Sequence, residues 1–226
     1  MTRSAPPGGP FAAFLFDMDG TILSSIASAE RAWSAWAERH GLDVPSFLPT
    51  IHGVQSAETI RRLNLPGVDP VAEAAAITRV EMDDVADIDP IPGAPDFLRA
   101  LPPDRWAIVT SAPRLLAERR LLAAGLPTPR LIVSAEDVPN GKPAPDCFLL
   151  AASRLGVSAA DCLVFEDAAA GIAAADAAGA AVLVVTAAHR HPVETSHPTL
   201  REYGELLVQV EADDRLSLRR NPAVPG

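Results

Sequence analysis

Short apolar runs that break off abruptly are the feature of this chain that most restricts its fold. Between most of them lie segments with helical spacing and helix-forming residues. The runs are Phe11–Phe16, Trp106–Thr110, Leu131–Val133, Cys162–Phe165 and Ala181–Thr186. Continuous apolar runs of this length are typical of strands buried in a parallel sheet. Alternating strands and helices therefore predict an α/β fold with a doubly wound parallel sheet.

A helical insertion interrupts this alternation between the first two runs. It starts with Trp33 and Trp36 on one face of a helix, among several alanines, and further helical segments follow. The core pattern resumes near the Pro92-Gly93 pair, which is a strong turn signal. We predict that residues 24–90 form a small all-helical cap domain.

The rest of the chain is expected to form one catalytic core from residues 1–23 and 91–226. A chain of 226 residues is long enough for such a core with a smaller insertion and too short for several independent domains. Polar or Pro-rich composition without periodicity predicts loose tails at 1–10 and at about 213–226.

Charge and composition exclude several functional classes. Acidic residues outnumber basic ones 29 to 19, and no run of Lys or Arg could bind a row of phosphates, which argues against nucleic acid as a partner. No apolar run suits a membrane helix and no secretory signal is visible, so no membrane partner and a cytoplasmic location are expected. Cys147 and Cys162 are predicted to be buried free thiols. We expect a monomer or a weak homodimer.

The strongest chemical signal is a pair of carboxylates at the end of the first run. Asp17 and Asp19 are two residues apart, so both project to the same side of the chain, and Gly20 lets the backbone turn sharply after them. Ligands of open α/β sheets bind at the carboxyl ends of the strands. An ordinary Asx-type turn would also account for this pattern taken alone.

A second acidic pair, Glu166 and Asp167, follows another apolar run. Four carboxylates at one edge of a sheet repel each other unless a hard cation holds them, and oxygen ligands suit Mg²⁺. The cluster therefore predicts a magnesium site formed by Asp17, Asp19, Glu166 and Asp167.

Two further positions could bind phosphate oxygens. Lys142 stands between Gly141 and Pro143, which constrain its backbone more than is usual for a surface lysine. Thr110 and Ser111 end the second apolar run, where a hydroxyl and adjacent N–H groups could bind an anion, although helix-capping residues look the same.

Taken in order, these motifs resemble those of the haloacid dehalogenase superfamily. The similarity spans roughly residues 11–190 and is greatest to sugar-phosphate, hexitol-phosphate and glycerol-phosphate phosphatases of the β-phosphoglucomutase-like subgroup. The carrying stretches are Asp17-Met18-Asp19-Gly20-Thr21, Thr110-Ser111-Ala112, Gly141-Lys142-Pro143 and Phe165-Glu166-Asp167-Ala168.

The resemblance implies a role for each motif residue. Asp17 is then the nucleophile and a magnesium ligand, and Asp19 is the general acid and base, with its carbonyl on the metal. Asp167 completes the ligands, and Glu166 binds the metal or its waters. Thr110, Ser111 and Lys142 would hold the phosphoryl oxygens of a small phosphorylated metabolite. The expected activity is hydrolysis of that ester through an aspartyl-phosphate.

We expect residues of the cap to recognise the substrate. His52 and Gln55 resemble the corresponding cap segment of those phosphatases, although a helix-end or core histidine is an equally ordinary interpretation of His52. Both are candidate substrate residues.

Four alternative functions remain to be weighed. A sugar-phosphate mutase needs extra cap cations for a bisphosphate, and the cap has few basic residues. A dehalogenase needs neither the metal nor an acid at Asp19. A phosphonate hydrolase needs a cap lysine, whereas Lys142 is the only lysine of the chain. A catalytically inert binding protein with the same fold is the remaining alternative.

Overall fold

The computed structural model describes residues 6–189 and 194–223. Its strands are β1 (Ala13–Phe16), β2 (Leu23–Ser24), β3 (Asp89–Pro90), β4 (Trp106–Val109), β5 (Ile132–Val133), β6 (Cys162–Glu166), β7 (Ala181–Val185), β8 (Thr199–Leu200), β9 (Leu206–Val210) and β10 (Leu216–Arg220). Its α-helices are α1 (Ile26–Arg39), α2 (Val44–Phe47), α3 (Ser56–Leu63), α4 (Pro70–Asp83), α5 (Ala94–Arg99), α6 (Arg114–Ala123), α7 (Asp146–Arg154) and α8 (Ala169–Ala177).

A six-stranded parallel sheet with helices packed against it forms the core, in the order β5-β4-β1-β6-β7-β8. The predicted doubly wound α/β fold is therefore confirmed, and each apolar run contains one of these strands. The first run is shorter as a strand than predicted, because Phe11 pairs instead with Leu216 in an isolated antiparallel bridge.

Both faces of the sheet are buried, with different side chains on each. Phe14 and Phe16 of β1 pack into a cluster rich in aromatic residues, whereas Ala13 and Leu15 pack into a cluster of smaller side chains on the opposite face. This division follows from the alternation of side chains along a strand. Complete burial on both faces explains why the sequence shows continuous apolar runs.

Strand β1 lies in the middle of the sheet, between β4 and β6. The chain passes from β1 to one side of the sheet for β4 and β5, and then returns to the other side of β1 for β6 and β7. Such a reversal of strand order opens a crevice at the carboxyl ends of the strands. The two acidic pairs and Thr110 lie at this end of β1, β6 and β4.

Helices α1 to α4 are inserted between β2 and β3, which pair with each other antiparallel. The insertion has its own hydrophobic cluster, in which Trp33, Trp36 and Phe47 pack against Ile60 and other aliphatic residues. The two tryptophans, which the helical spacing places on one face of α1, therefore pack inside the insertion. The indole N–H of Trp36 donates a 2.9 Å hydrogen bond to Glu73 of α4, which fixes α1 against α4.

The prediction of a loose tail from about residue 213 is wrong. Strand β10 pairs antiparallel with β9, and Leu216 is completely buried in the aromatic cluster of the core. The backbone N–H and C=O of Leu216 also exchange two 2.7 Å hydrogen bonds with Phe11. Strand β10 is short and has only two apolar side chains, Leu216 and Leu218, so its periodic signal is weak, yet long-range pairing with Phe11 holds it in place. Of the predicted loose segment 1–10, residues 1–5 lie outside the described residues.

Two smaller expectations can be compared with the structure. Cys147 and Cys162 are buried and free, as predicted. In the described part of the chain, no helix is both long enough and apolar enough to cross a membrane.

We expect Leu216→Ala to lower the free energy of unfolding by about 2–4 kcal/mol, because it removes a fully buried side chain and leaves a cavity. Leu207→Ala is the matched control, since Leu207 belongs to the same hairpin but is 48% exposed. Its effect should stay within about 0.5 kcal/mol. Urea denaturation of both variants measures the difference, and equal stabilities would contradict a folded C-terminal hairpin.

Candidate active site

The carboxyl ends of the central strands bring most of the predicted residues together. Asp17 follows β1, Thr110 follows β4, and Glu166 is the last residue of β6. Lys142 reaches the same place from the loop between β5 and α7. Residues that are 125 positions apart in the sequence therefore meet at one edge of the sheet.

Lys142 is buried between two carboxylates. Its Nζ lies 2.6 Å from Oδ1 of Asp17 and 2.7 Å from Oε1 of Glu166, and it also donates to the carbonyl of Val109 at 3.1 Å. Desolvation lowers the pKa of Lys142, but the Asp17 and Glu166 carboxylates outweigh it and raise that pKa above its usual range. Lys142 is therefore a permanent cation directly against Asp17.

Three carboxylates crowd around this lysine. Oxygen atoms of Asp17, Glu166 and Asp167 lie within 4.8 Å of one another. Burial raises the pKa of Asp17 to about 7, against the opposing effect of Lys142, and burial together with Glu166 raises the pKa of Asp167. A single lysine thus leaves this group of carboxylates short of positive charge.

The donor set of this cluster fits a hard divalent cation. Carboxylate oxygens are the ligands that such ions prefer, and a bound cation would favour the ionised forms that burial disfavours. Asp17 and Asp167 are the more available ligands. Glu166 already accepts hydrogen bonds from Lys142 and from the backbone N–H groups of Asp167 and Ala168, the latter two at 2.8 Å.

Two glycines make room for these acids. A Cβ on Gly20 would lie 2.1 Å from the carboxylate of Asp167, and its φ of +89° is also unfavourable for other residues. A Cβ on Gly171, in α8, would lie 1.5 Å from the carboxylate of Glu166. The positions of both acids therefore depend on the absence of a side chain at these two sites.

Thr110 and Ser111 occupy different settings. Thr110 is buried, and its hydroxyl accepts a 3.0 Å hydrogen bond from the backbone N–H of Ala112. The hydroxyl of Ser111 donates a 2.9 Å hydrogen bond to the carbonyl of Gly53 in the insertion. Ser111 therefore joins core and cap, while its backbone N–H remains the predicted anion donor.

A cleft with a volume of about 90 Å³ separates the core acids from the helical insertion. Asp17, Asp19 and Asp167 line it from the core, and His52 and Trp33 line it from the insertion. Lys142 lies beneath Asp17 and is not among the lining residues. Three of the predicted acids therefore face a cleft between the core and the insertion.

The two predicted cap residues are placed differently. His52 lines the cleft, where it could contact a substrate. Gln55 is not among the lining residues, and its amide donates a 3.1 Å hydrogen bond to the carbonyl of Ala135 in the core. This contact ties the cap to the core and gives Gln55 a structural partner. A substrate role for either residue stays a prediction.

Asp19 stands apart from the other acids and has partners that the sequence did not indicate. Its Oδ1 accepts hydrogen bonds from Ser25 at 2.6 Å and from Arg120 at 3.0 Å. Arg120, on α6, is buried and also donates at 3.1 Å to Glu81, a buried residue of α4 in the insertion. Arg120 and Glu81 sit in ordinary helical segments, so no local signal marks them.

His189 is a third residue that sequence reasoning missed. One of its ring nitrogens lies 2.9 Å from the backbone carbonyl of Asp167, and its side chain lines a pocket beside His52. It follows β7 in a loop without a recognisable motif. A lone histidine in a loop carries too little information to be placed at a site.

Comparison with known proteins agrees with this arrangement. The family model of the haloacid dehalogenase-like hydrolases matches residues 11–179, and the chain belongs to that family. The match includes both acidic pairs, Thr110 and Lys142. The family predicted from the motifs is therefore confirmed, and with it the prediction of a hydrolase.

Individual proteins of known name are also similar to this chain. Hexitol phosphatase A of Escherichia coli (strain K12) is 41% identical over 202 residues, which cover 88% of this chain and 91% of the relative. 2-Deoxyglucose-6-phosphate phosphatase 2 of Saccharomyces cerevisiae is 32% identical, covering 77% of this chain and 80% of the relative. A hydrolase from Pseudomonas syringae has a similar crystal structure, with a TM-score of 0.72 and 26% identity, covering 80% of this chain and 87% of that one.

We expect Lys142→Met to lower the free energy of unfolding by about 3 kcal/mol in buffer with a metal chelator, because it leaves Asp17 and Glu166 buried without their cation. Arg62→Met is the control, since Arg62 is an exposed cation paired with Glu58 and its loss should cost well under about 1 kcal/mol. Denaturant unfolding at neutral pH measures both. A Lys142 variant as stable as the control would show that the lysine does not hold the carboxylates together.

Proposed function

We propose that this protein is a magnesium-dependent phosphatase that hydrolyses small phosphate monoesters through an aspartyl-phosphate on Asp17. The observation that carries the proposal is the pair formed by Asp17 and Lys142, 2.6 Å apart, with Glu166 and Asp167 beside them. Asp17 and Asp167 line the cleft. An anionic nucleophile attacks a phosphate only when cations offset the repulsion. This arrangement supplies a nucleophile, a cation and ligands for a second cation.

In the first step a carboxylate oxygen of Asp17 attacks phosphorus and the bond from phosphorus to the alcohol oxygen breaks. Asp19 gives its proton to that oxygen, so the alcohol leaves uncharged. Bound Mg²⁺ would offset charge on the phosphoryl oxygens. Lys142, the hydroxyl of Thr110 and the backbone N–H of Ser111 are the groups we expect to hold the transferring phosphoryl group.

In the second step a water molecule attacks phosphorus of the aspartyl-phosphate. Asp19, now ionised, takes a proton from that water, and the bond between phosphorus and Asp17 breaks. Inorganic phosphate leaves and both aspartates return to their starting forms. One residue thus serves as acid and then as base, which requires Asp19 to lie on the cleft wall, where it is found.

The cleft favours monophosphates over bisphosphates. Among its lining residues in the described part of the chain, Arg120 is the only lysine or arginine, and it is already paired with two carboxylates. A mutase that retains a bisphosphate intermediate needs a free cation for the second phosphate. Hydrolysis is therefore preferred over phosphate transfer between sugar positions.

The proposed substrates are phosphate esters of sugars, hexitols or glycerol. Two of the relatives described above are named as phosphatases of a hexitol and of 2-deoxyglucose 6-phosphate. The cleft mixes hydroxyls, carboxylates and His52 with the aromatic and aliphatic side chains of the cap, which suits a polyhydroxylated alcohol. A cytoplasmic location and a monomeric or weakly dimeric state remain predictions.

We expect the purified protein to release phosphate from at least one member of a panel of hexose, hexitol and glycerol phosphates when Mg²⁺ is present. Chelation should stop the release reversibly, and Asp17→Asn should abolish it, because the amide cannot attack phosphorus. Phosphate release is measured directly. Activity of the variant close to the wild-type rate would rule out Asp17 as the nucleophile.

We expect Mg²⁺ to raise the melting temperature by about 2–4 °C at concentrations well above its dissociation constant, because it binds the folded protein. Asp167→Asn should lose this response, since it removes a cluster ligand. Asp176→Asn is the matched control, because Asp176 is an exposed acid outside the cluster and should leave the shift intact. A shift retained in Asp167→Asn would place the ion elsewhere.

A further inference from the structure

We propose that Arg120 is a positioning residue for proton transfer, and that Glu81 of the cap holds it in place, so that the seating of the cap and the position of Asp19 are coupled. The inference rests on the proposed function, because it assigns a task to Asp19 as the proton donor. It goes beyond that function in naming the group that directs the donor and the cap residue that controls that group.

The hydrogen bonds at Asp19 are confined to one oxygen of its carboxylate. Both donors, the hydroxyl of Ser25 at 2.6 Å and Nη1 of Arg120 at 3.0 Å, reach the same carboxylate oxygen, Oδ1. Among the described residues no side chain donates to Oδ2 of Asp19. These two donors hold Oδ1 in place and so orient the Asp19 carboxylate, whose Oδ2 is the oxygen left to face the leaving alcohol.

Arg120 is itself held in place by a residue of the cap. The guanidinium is buried, with 5% of its side chain exposed, and its Nη2 donates to Glu81 at 3.1 Å. Glu81 is equally buried and belongs to α4 of the cap, whereas Arg120 belongs to α6 of the core. Because a planar guanidinium held at both ends has little freedom, the cap sets the direction in which Nη1 points at Asp19.

Separation of Arg120 from Glu81 would cost free energy. Moving the cap away would leave Arg120 without Glu81, and the Nε of Arg120 already has no hydrogen-bond partner in the described structure. Breaking a buried ion pair by removing one partner is strongly unfavourable. The bridge therefore ties the orientation of Arg120 at Asp19 to the observed position of the cap.

The test compares two classes of leaving group, because an alkoxide needs a proton to leave and an aryl oxide such as p-nitrophenolate does not. The ratio kcat/KM covers binding and the loss of the alcohol. We expect Arg120→Gln to lower kcat/KM for a hexitol phosphate at least about 100-fold and for p-nitrophenyl phosphate less than about 10-fold. Arg120→Lys should recover part of the loss.

Two further variants make the test specific. Glu81→Gln leaves Arg120 beside Asp19, so we expect a smaller loss of kcat/KM that is again selective for the hexitol phosphate. This variant provides the test if Arg120→Gln does not fold. Arg119→Gln is the matched control, because Arg119 precedes Arg120 on α6 and contacts the cap through the carbonyl of Met82, but it does not touch Asp19. Arg119→Gln should leave kcat/KM unchanged for both the hexitol phosphate and p-nitrophenyl phosphate.

The outcomes separate this inference from the proposed function. A wild-type protein that hydrolyses neither ester contradicts the proposed function. Suppose instead that the wild-type protein hydrolyses both esters and that the variants lose kcat/KM equally on the two esters, or not at all. This result would contradict the role of Arg120 and Glu81 but would agree with the proposed phosphatase activity. A selective loss on the alkyl ester supports the coupling.

Discussion

The burial of Lys142 between Asp17 and Glu166 is the interaction on which the rest of the site depends. Two ionised carboxylates repel each other strongly in a dry environment unless a cation lies between them, and the Nζ of Lys142 is 2.6 Å from Asp17 and 2.7 Å from Glu166. The lysine comes from a loop that belongs to neither acidic strand. The ammonium group of Lys142 therefore links β1, β6 and the loop before α7.

That lysine does not balance the cluster fully. Asp167 adds a third carboxylate, and burial raises its pKa and that of Asp17. A strained charge distribution of this kind is typical of functional sites, because a group that is costly when alone is useful once a ligand completes it. The missing positive charge is the physical reason for expecting Mg²⁺ here, independently of any resemblance.

Sequence reasoning succeeded where the signal is local. The run ending at Asp17 is apolar because β1 is buried on both faces, and Lys142 stands out because Gly141 and Pro143 surround it. It failed where the determining partner is distant. Leu216 looked like part of a tail because its pairing with Phe11 lies across the whole chain, and Arg120 looked like an ordinary helical arginine because Asp19 is 101 positions away.

The same distinction explains how the cap contributes to chemistry. Its fold follows from a hydrophobic cluster of its own, which the spacing of its tryptophans could predict. Its polar contacts with the core include Gln55 to Ala135, Ser111 to Gly53 and Arg120 to Glu81, none of which leaves a periodic pattern in the sequence. Of the three, only the last also reaches Asp19, the proposed proton donor. The position of the cap can therefore affect proton transfer without any cap residue touching the reacting phosphate.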